Sequence, residues 1–180
     1  SRIDIPAYRR GDFNGDGLDD VMLYLRTGTK WQTIVRLADQ ANPGTFSAAV
    51  YSDADNFHEN WTDCQAAFGD FNGDQKTDML LYRKDSSVLQ FWVRLAASNG
   101  LLANPKFSAA VAIDWESYSF STGDFNGDGF IDLLFYHHQG SQWQTYVALS
   151  RGDGTFAKPV WSSSVSVDWS TYSPNSGDYN

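Results

Sequence analysis

Asp12, Asn14, Asp16 and Asp20 place side-chain oxygens at positions 1, 3, 5 and 9 of a nine-residue loop, and the chain writes the same arrangement twice more. Asp70, Asn72, Asp74 and Asp78 form the second set; Asp124, Asn126, Asp128 and Asp132 form the third. Alternate oxygens along a tightly turned loop can converge on one hard cation, which takes six to eight oxygen ligands at roughly 2.3–2.6 Å. Calcium fits that description best, with the backbone carbonyls of Leu18, Lys76 and Phe130 filling position 7 of their loops. About three structural Ca2+ sites are therefore expected. Glycine at position 6 permits the positive-φ turn such a loop needs. Gly17 and Gly129 supply it, but Gln75 stands there in the second loop. A non-glycine residue in the left-handed region costs about 1 kcal/mol, so the second site is expected to be the weakest.

The distribution of charge supports a cation. The formal net charge is −9, and ten of the 22 acidic residues lie in the three loops. Three divalent ions would offset six of those nine charges, whereas a chain this acidic is repelled by nucleic acid and by anionic membranes. An EF-hand begins similarly but ends on an acidic twelfth residue between helices; here position 12 is Leu23, Leu81 or Phe135, inside strand-like runs. Dockerin modules fail on the same two grounds. Asp, Asn and Gly also make good turns, but three copies that keep all four oxygen positions exceed what turn chemistry alone requires.

The loops sit in a larger repeat. Their leading glycines, Gly11, Gly69, Gly123 and Gly177, are spaced by 58, 54 and 54 residues, and other landmarks keep step. Trp31, Leu89 and Trp143 each follow their glycine by 20 residues, Trp61, Trp115 and Trp169 each precede the next one by 8, and "FSAAV" occurs at Phe46–Val50 and Phe107–Val111. A fixed period of this length signals a solenoid, propeller or array. Four strands fit one unit: Tyr8–Asp12, the apolar run Val21–Leu25, the alternating Trp31–Leu37 and Phe46–Tyr51. With 16% aromatic residues and 15 glycines, the class is all-β. Four antiparallel strands per unit of about fifty residues is the arithmetic of a β-propeller blade.

The expected organisation is a single β-propeller segment over 1–180, with repeats at 11–68, 69–122 and 123–176 and the start of a fourth at 177–180. Three blades do not close a ring, since propellers use roughly four to eight. Closure calls for a longer parent chain or self-association. The first is preferred, because in a symmetric three-plus-three ring the final strand would compete with the partner's own first strand.

These units resemble FG-GAP or VCBS repeats, the calcium-binding blades of integrin α-subunit propellers, of seven-bladed fungal lectins and of many secreted microbial proteins. The resemblance covers essentially the whole chain and implies that the loop joins the first two strands of a blade, that the calcium is structural, and that the protein is extracellular, where calcium is millimolar. It leaves the activity open. Glycan or glycoprotein binding leads, with Trp61, Trp115, Tyr118, Trp169 and Tyr172 as the faces that could stack on sugar rings; packing between blades is the competing role for each tryptophan. A protein-adhesion module and the propeller of a secreted polysaccharide-active enzyme are the alternatives.

Little supports catalysis in this chain. His58, His137 and His138 do not recur with the repeat, and neighbours on a strand point to opposite faces, so His137 and His138 are poorly placed to share a metal. No nucleophile-elbow, phosphate-loop or zincin motif is present. "RGD" occurs at Arg10–Asp12, where Asp12 is an expected calcium ligand, and at Arg151–Asp153, in a turn expected to be exposed; chance accounts for both. "NWT" at Asn60–Thr62 matches a glycosylation acceptor and carries little weight alone. Cys64 is the only cysteine, which excludes an intrachain disulfide, and no apolar stretch approaches the roughly 18 residues of a membrane-spanning helix.

Overall fold

A computed structural model of the chain describes residues 7–27, 30–55, 64–85, 88–112, 118–139 and 141–166. No helix occurs among these residues. The first sheet holds β1 (Ala7–Gly11), β2 (Asp20–Thr27), β3 (Lys30–Arg36) and β4 (Val50–Asp55) in that order. The second holds β5 (Gln65–Gly69), β6 (Asp78–Asp85), β7 (Val88–Arg94) and β8 (Lys106–Ala112). The third holds β9 (Ser119–Gly123), β10 (Asp132–Gln139), β11 (Gln142–Ala148) and β12 (Val160–Ser166). Every neighbouring pair is antiparallel, so each sheet is one up-and-down blade of the expected kind, and the three do not close into a ring.

Two cores lie between the blades. Phe13, Met22, Trp31 and Val35 of the first blade meet Met79, Leu81 and Trp92 of the second. Phe71, Leu80, Leu89 and Val93 of the second meet Leu133, Phe135 and Ala148 of the third. Each blade thus offers one face forward and the other backward, and period-two alternation decides which residue goes where. Along β3, Trp31, Thr33 and Val35 are buried while Lys30 and Arg36 are exposed, the alternation expected from sequence. In the central blade Met79, Leu80 and Leu81 are all fully buried, because β6 is covered on both faces. In the first blade only Met22 of the equivalent trio is fully covered, and Leu23 is 39% exposed.

The fourth strand departs from expectation. In the first blade Phe46 only bridges Ala38, and β4 begins at Val50. The turn around Asn42–Gly44 folds residues 37–47 into a small hairpin, closed by Ser47 N–H to the Leu37 carbonyl (2.8 Å) and Asp39 N–H to the Thr45 carbonyl (3.0 Å), before regular pairing resumes. In the second blade the same "FSAAV" phrase lies inside β8, with a register shift opposite Phe91 and Trp92.

Candidate functional site

Each Asp-rich loop joins the first two strands of its blade and is wound around its own first carboxylate. Asp12 Oδ1 accepts the N–H of Gly15 (2.6 Å) and Oδ2 that of Gly17 (2.7 Å). Asp70 takes the corresponding bonds from Gly73 (2.6 Å) and Gln75 (2.7 Å), and Asp124 from Gly127 (2.7 Å) and Gly129 (2.9 Å). These amides, that of Gly129 first, hold the Asp124 carboxyl below the usual carboxylate range. The position-3 amide then donates to the position-5 carboxylate: Asn14 to Asp16 (2.9 Å), Asn72 to Asp74 (3.1 Å) and Asn126 to Asp128 (2.7 Å).

The position-9 aspartates do something different. Asp20, Asp78 and Asp132 are fully buried, and each ties three pieces of its blade together. Asp20 accepts Phe13 N–H (2.8 Å) and Ala38 N–H (2.8 Å); Asp78 accepts Phe71 N–H (3.0 Å) and Ala96 N–H (2.8 Å); Asp132 accepts Phe125 N–H (3.0 Å) and Ser150 N–H (2.8 Å). The carboxylate thus staples the loop to the segment leaving the third strand. Burial pushes all three acids up, Asp78 to about 7, against the pull of those amides, and the position-5 and position-1 carboxylates push the same way. Sequence reading took these residues as ligands and missed the staple. The available signal was an acid at the first position of an apolar strand, where burial demands partners.

Gln75 adopts φ +66°, the one non-glycine residue with positive φ among those described, so the second loop keeps the turn at a conformational cost. Replacing this exposed residue with glycine is expected to stabilise the chain by about 0.5–1 kcal/mol, read by urea denaturation; an unchanged midpoint would show that the loop carries no strain. The second loop also holds a cation of its own. The Lys76 ammonium sits 2.7 Å from Asp74 Oδ2. Desolvation works to raise the Asp74 carboxyl, but this contact and the Asn72 amide outweigh it and hold the group low.

Neighbouring loops are linked in a repeated way. Thr77 N–H donates to the Asp12 carbonyl (2.5 Å), and Ile131 N–H donates to the Asp70 carbonyl (2.9 Å). In both cases position 8 of one loop reaches position 1 of the loop before it. Position 7 packs on the preceding position 4: the Lys76 stem lies against Gly15, and the Phe130 ring fills the space a Cβ at Gly73 would need.

Of the residues expected to bind a ligand, Trp61, Trp115, Trp169 and Tyr172 lie outside the described residues. Tyr118 is buried between the second and third blades: its hydroxyl donates to Gln144 Oε1 (3.1 Å), its ring centroid lies 4.8 Å from that of His137, and its carbonyl accepts the Lys84 ammonium. In the Arg151–Asp153 turn, Asp153 is held to about 2 by the Thr155 hydroxyl and by Lys106, whose ammonium is 3.2 Å away.

The donors suit a hard cation in type, being carboxylate, amide and carbonyl oxygens with lone pairs to spare. Their placement is looser, since among the described residues no three His, Cys, Asp or Glu side chains converge as a metal centre. The loop oxygens instead accept the loop's own amides. No described helix is long and apolar enough to cross a membrane.

Among curated proteins nothing matches the chain. The family model for the FG-GAP-like repeat matches residues 12–81 and 124–180, well over half of the sequence. With three four-stranded blades, each carrying the Asp-rich loop between its first two strands, the chain belongs to the FG-GAP-like repeat family.

Proposed function

We propose that the chain is an extracellular recognition module whose blades are fastened by calcium in the Asp-rich loops and whose partner is a glycan or glycoprotein. The observation that carries the cation reading is the threefold recurrence of one loop geometry, with acidic oxygens at positions 1 and 5, an amide oxygen at position 3 and a buried, charge-disfavoured acid at position 9. Bound calcium would supply positive charge to that set. The side chains to hold it are Asp12, Asn14, Asp16 and Asp20, Asp70, Asn72, Asp74 and Asp78, and Asp124, Asn126, Asp128 and Asp132, with the carbonyls of Leu18, Lys76 and Phe130. Asp20, Asp78 and Asp132 keep their amide bonds and contribute charge from beneath the loop. Lys76 already satisfies Asp74, so the second loop binds most weakly.

The glycan reading rests on the aromatic residues that recur with the repeat, Trp61, Trp115 and Trp169. It is tested together with the cation. At a calcium concentration of 100 Kd, each occupied site adds about 2.7 kcal/mol to folding, so the melting temperature rises with calcium and falls with chelator. On a glycan array, calcium-loaded protein is retained, and the Trp61→Ala/Trp115→Ala/Trp169→Ala variant is not. A melting temperature indifferent to chelation removes the cation reading; an array blank with well-folded protein removes the glycan reading.

A further inference from the structure

We infer that Arg9, at the β1 edge of the junction between the first and second blades, receives the carboxylate of an acidic sugar, so that the glycan partner carries uronic-acid or similarly carboxylated units. The inference rests on the glycan reading above and narrows it. On β1, Ala7, Arg9 and Gly11 share the face turned to the second blade, where a Cβ at Gly11 would meet Thr77. The Arg9 guanidinium carbon lies 5.9 Å from the centre of the Tyr24 ring and 5.6 Å from that of Phe68, so one ring from each blade holds the group in place. Those two rings also touch each other, with centroids 5.6 Å apart, and Tyr24 stacks on the buried Trp31.

Packing alone does not call for an arginine there. The next junction brings together the same pair of rings, Tyr82 and Phe120, with centroids 4.9 Å apart, and Ala67 stands in the place of Arg9. Ser121 holds that place in the third blade. Nor does an ion pair account for it. In a chain with 22 acidic residues, no carboxylate pairs with Arg9 among the described residues, whereas its neighbour Arg10, on the opposite face, lies 3.6 Å from Asp19. Arg9 is exposed, and Nη1 donates to the Tyr8 carbonyl (3.0 Å), which leaves most of the five-donor fork for a ligand. A guanidinium held on aromatic faces presents its N–H edge in one plane, which suits the two oxygens of a carboxylate and a charge-assisted pair with them. One exposed cation in a chain of net charge −9 also suits a ligand with a single charge better than a polyanion.

The test is an array of matched neutral, uronic-acid and sulfated glycans, with an acidic peptide beside them, probed with the calcium-loaded full chain. Uronic-acid glycans are expected to be retained at least about tenfold more tightly than their neutral counterparts. Arg9→Gln, checked for unchanged circular dichroism, is expected to abolish that preference and leave neutral retention as it was. Arg9→Lys keeps the charge without the fork and falls between the two. Arg10→Gln, which removes the same charge from the opposite face, is expected to leave the preference intact. Equal retention of acidic and neutral glycans, a preference that survives Arg9→Gln, or stronger retention of the sulfated glycan or the acidic peptide overturns the proposal. In the first of these the glycan reading still stands; a blank array removes both.

Discussion

Replacing Asp78 with alanine is expected to lower the stability of the chain by about 2–5 kcal/mol, although the residue lies in a loop phrase that reads as surface turn. Its carboxylate accepts the N–H groups of Phe71 and Ala96, and all three residues are buried. Alanine leaves two buried donors unpaired, at about 1–3 kcal/mol each, while removing a buried charge returns part of that cost. Asparagine keeps one acceptor and turns an NH2 toward the other donor, so it falls between wild type and alanine. The acid also sets a pH signature. With Asp78 pushed up to about 7 in the folded chain against 3.8 for an unperturbed aspartate, the folded state binds the proton more tightly. In chelator, stability therefore declines as the pH rises from about 4 to 7 and levels off above. Asp78→Ala removes that contribution to the slope. Urea denaturation at pH 5 and pH 7 measures both effects; a loss below about 1 kcal/mol would show that the staple is dispensable.

Blade count and loop placement were legible because both depend on spacing. The repeat of Gly11, Gly69 and Gly123 located three units, and alternation along Trp31–Val35 fixed which face is covered. Less legible was the fourth strand of the first blade, since "FSAAV" has the same local preference in two blades. All three blades turn through a small hairpin after the third strand, and the phrase begins within that hairpin in the first blade but lies beyond it, in β8, in the second. The staple was hidden for a different reason. Position-9 acids were credited to a cation by their place in the motif, while their partners, the backbone amides of Ala38, Ala96 and Ser150, lie 18 residues downstream and need no particular side chain. The loop-to-loop bonds could not be read at all, because they use backbone groups.

Phe71→Ala and Phe125→Ala substitute the same position of the same phrase, and their effects are expected to differ by several-fold. Phe71 is fully buried, its ring edge-on to Phe156 with centroids 5.7 Å apart, in the core between the second and third blades. Truncating it leaves a cavity in a contact that cannot collapse without parting two sheets, at about 3–5 kcal/mol. Phe125 holds the same place in its own loop but is 38% exposed, and its loss costs less than about 1 kcal/mol. Equal losses would mean that the phenylalanine stabilises its own loop and that the following blade is irrelevant to it. The comparison thus separates what the phrase does for its own turn from what it does for the next blade, a distinction that identical sequence at the two positions conceals.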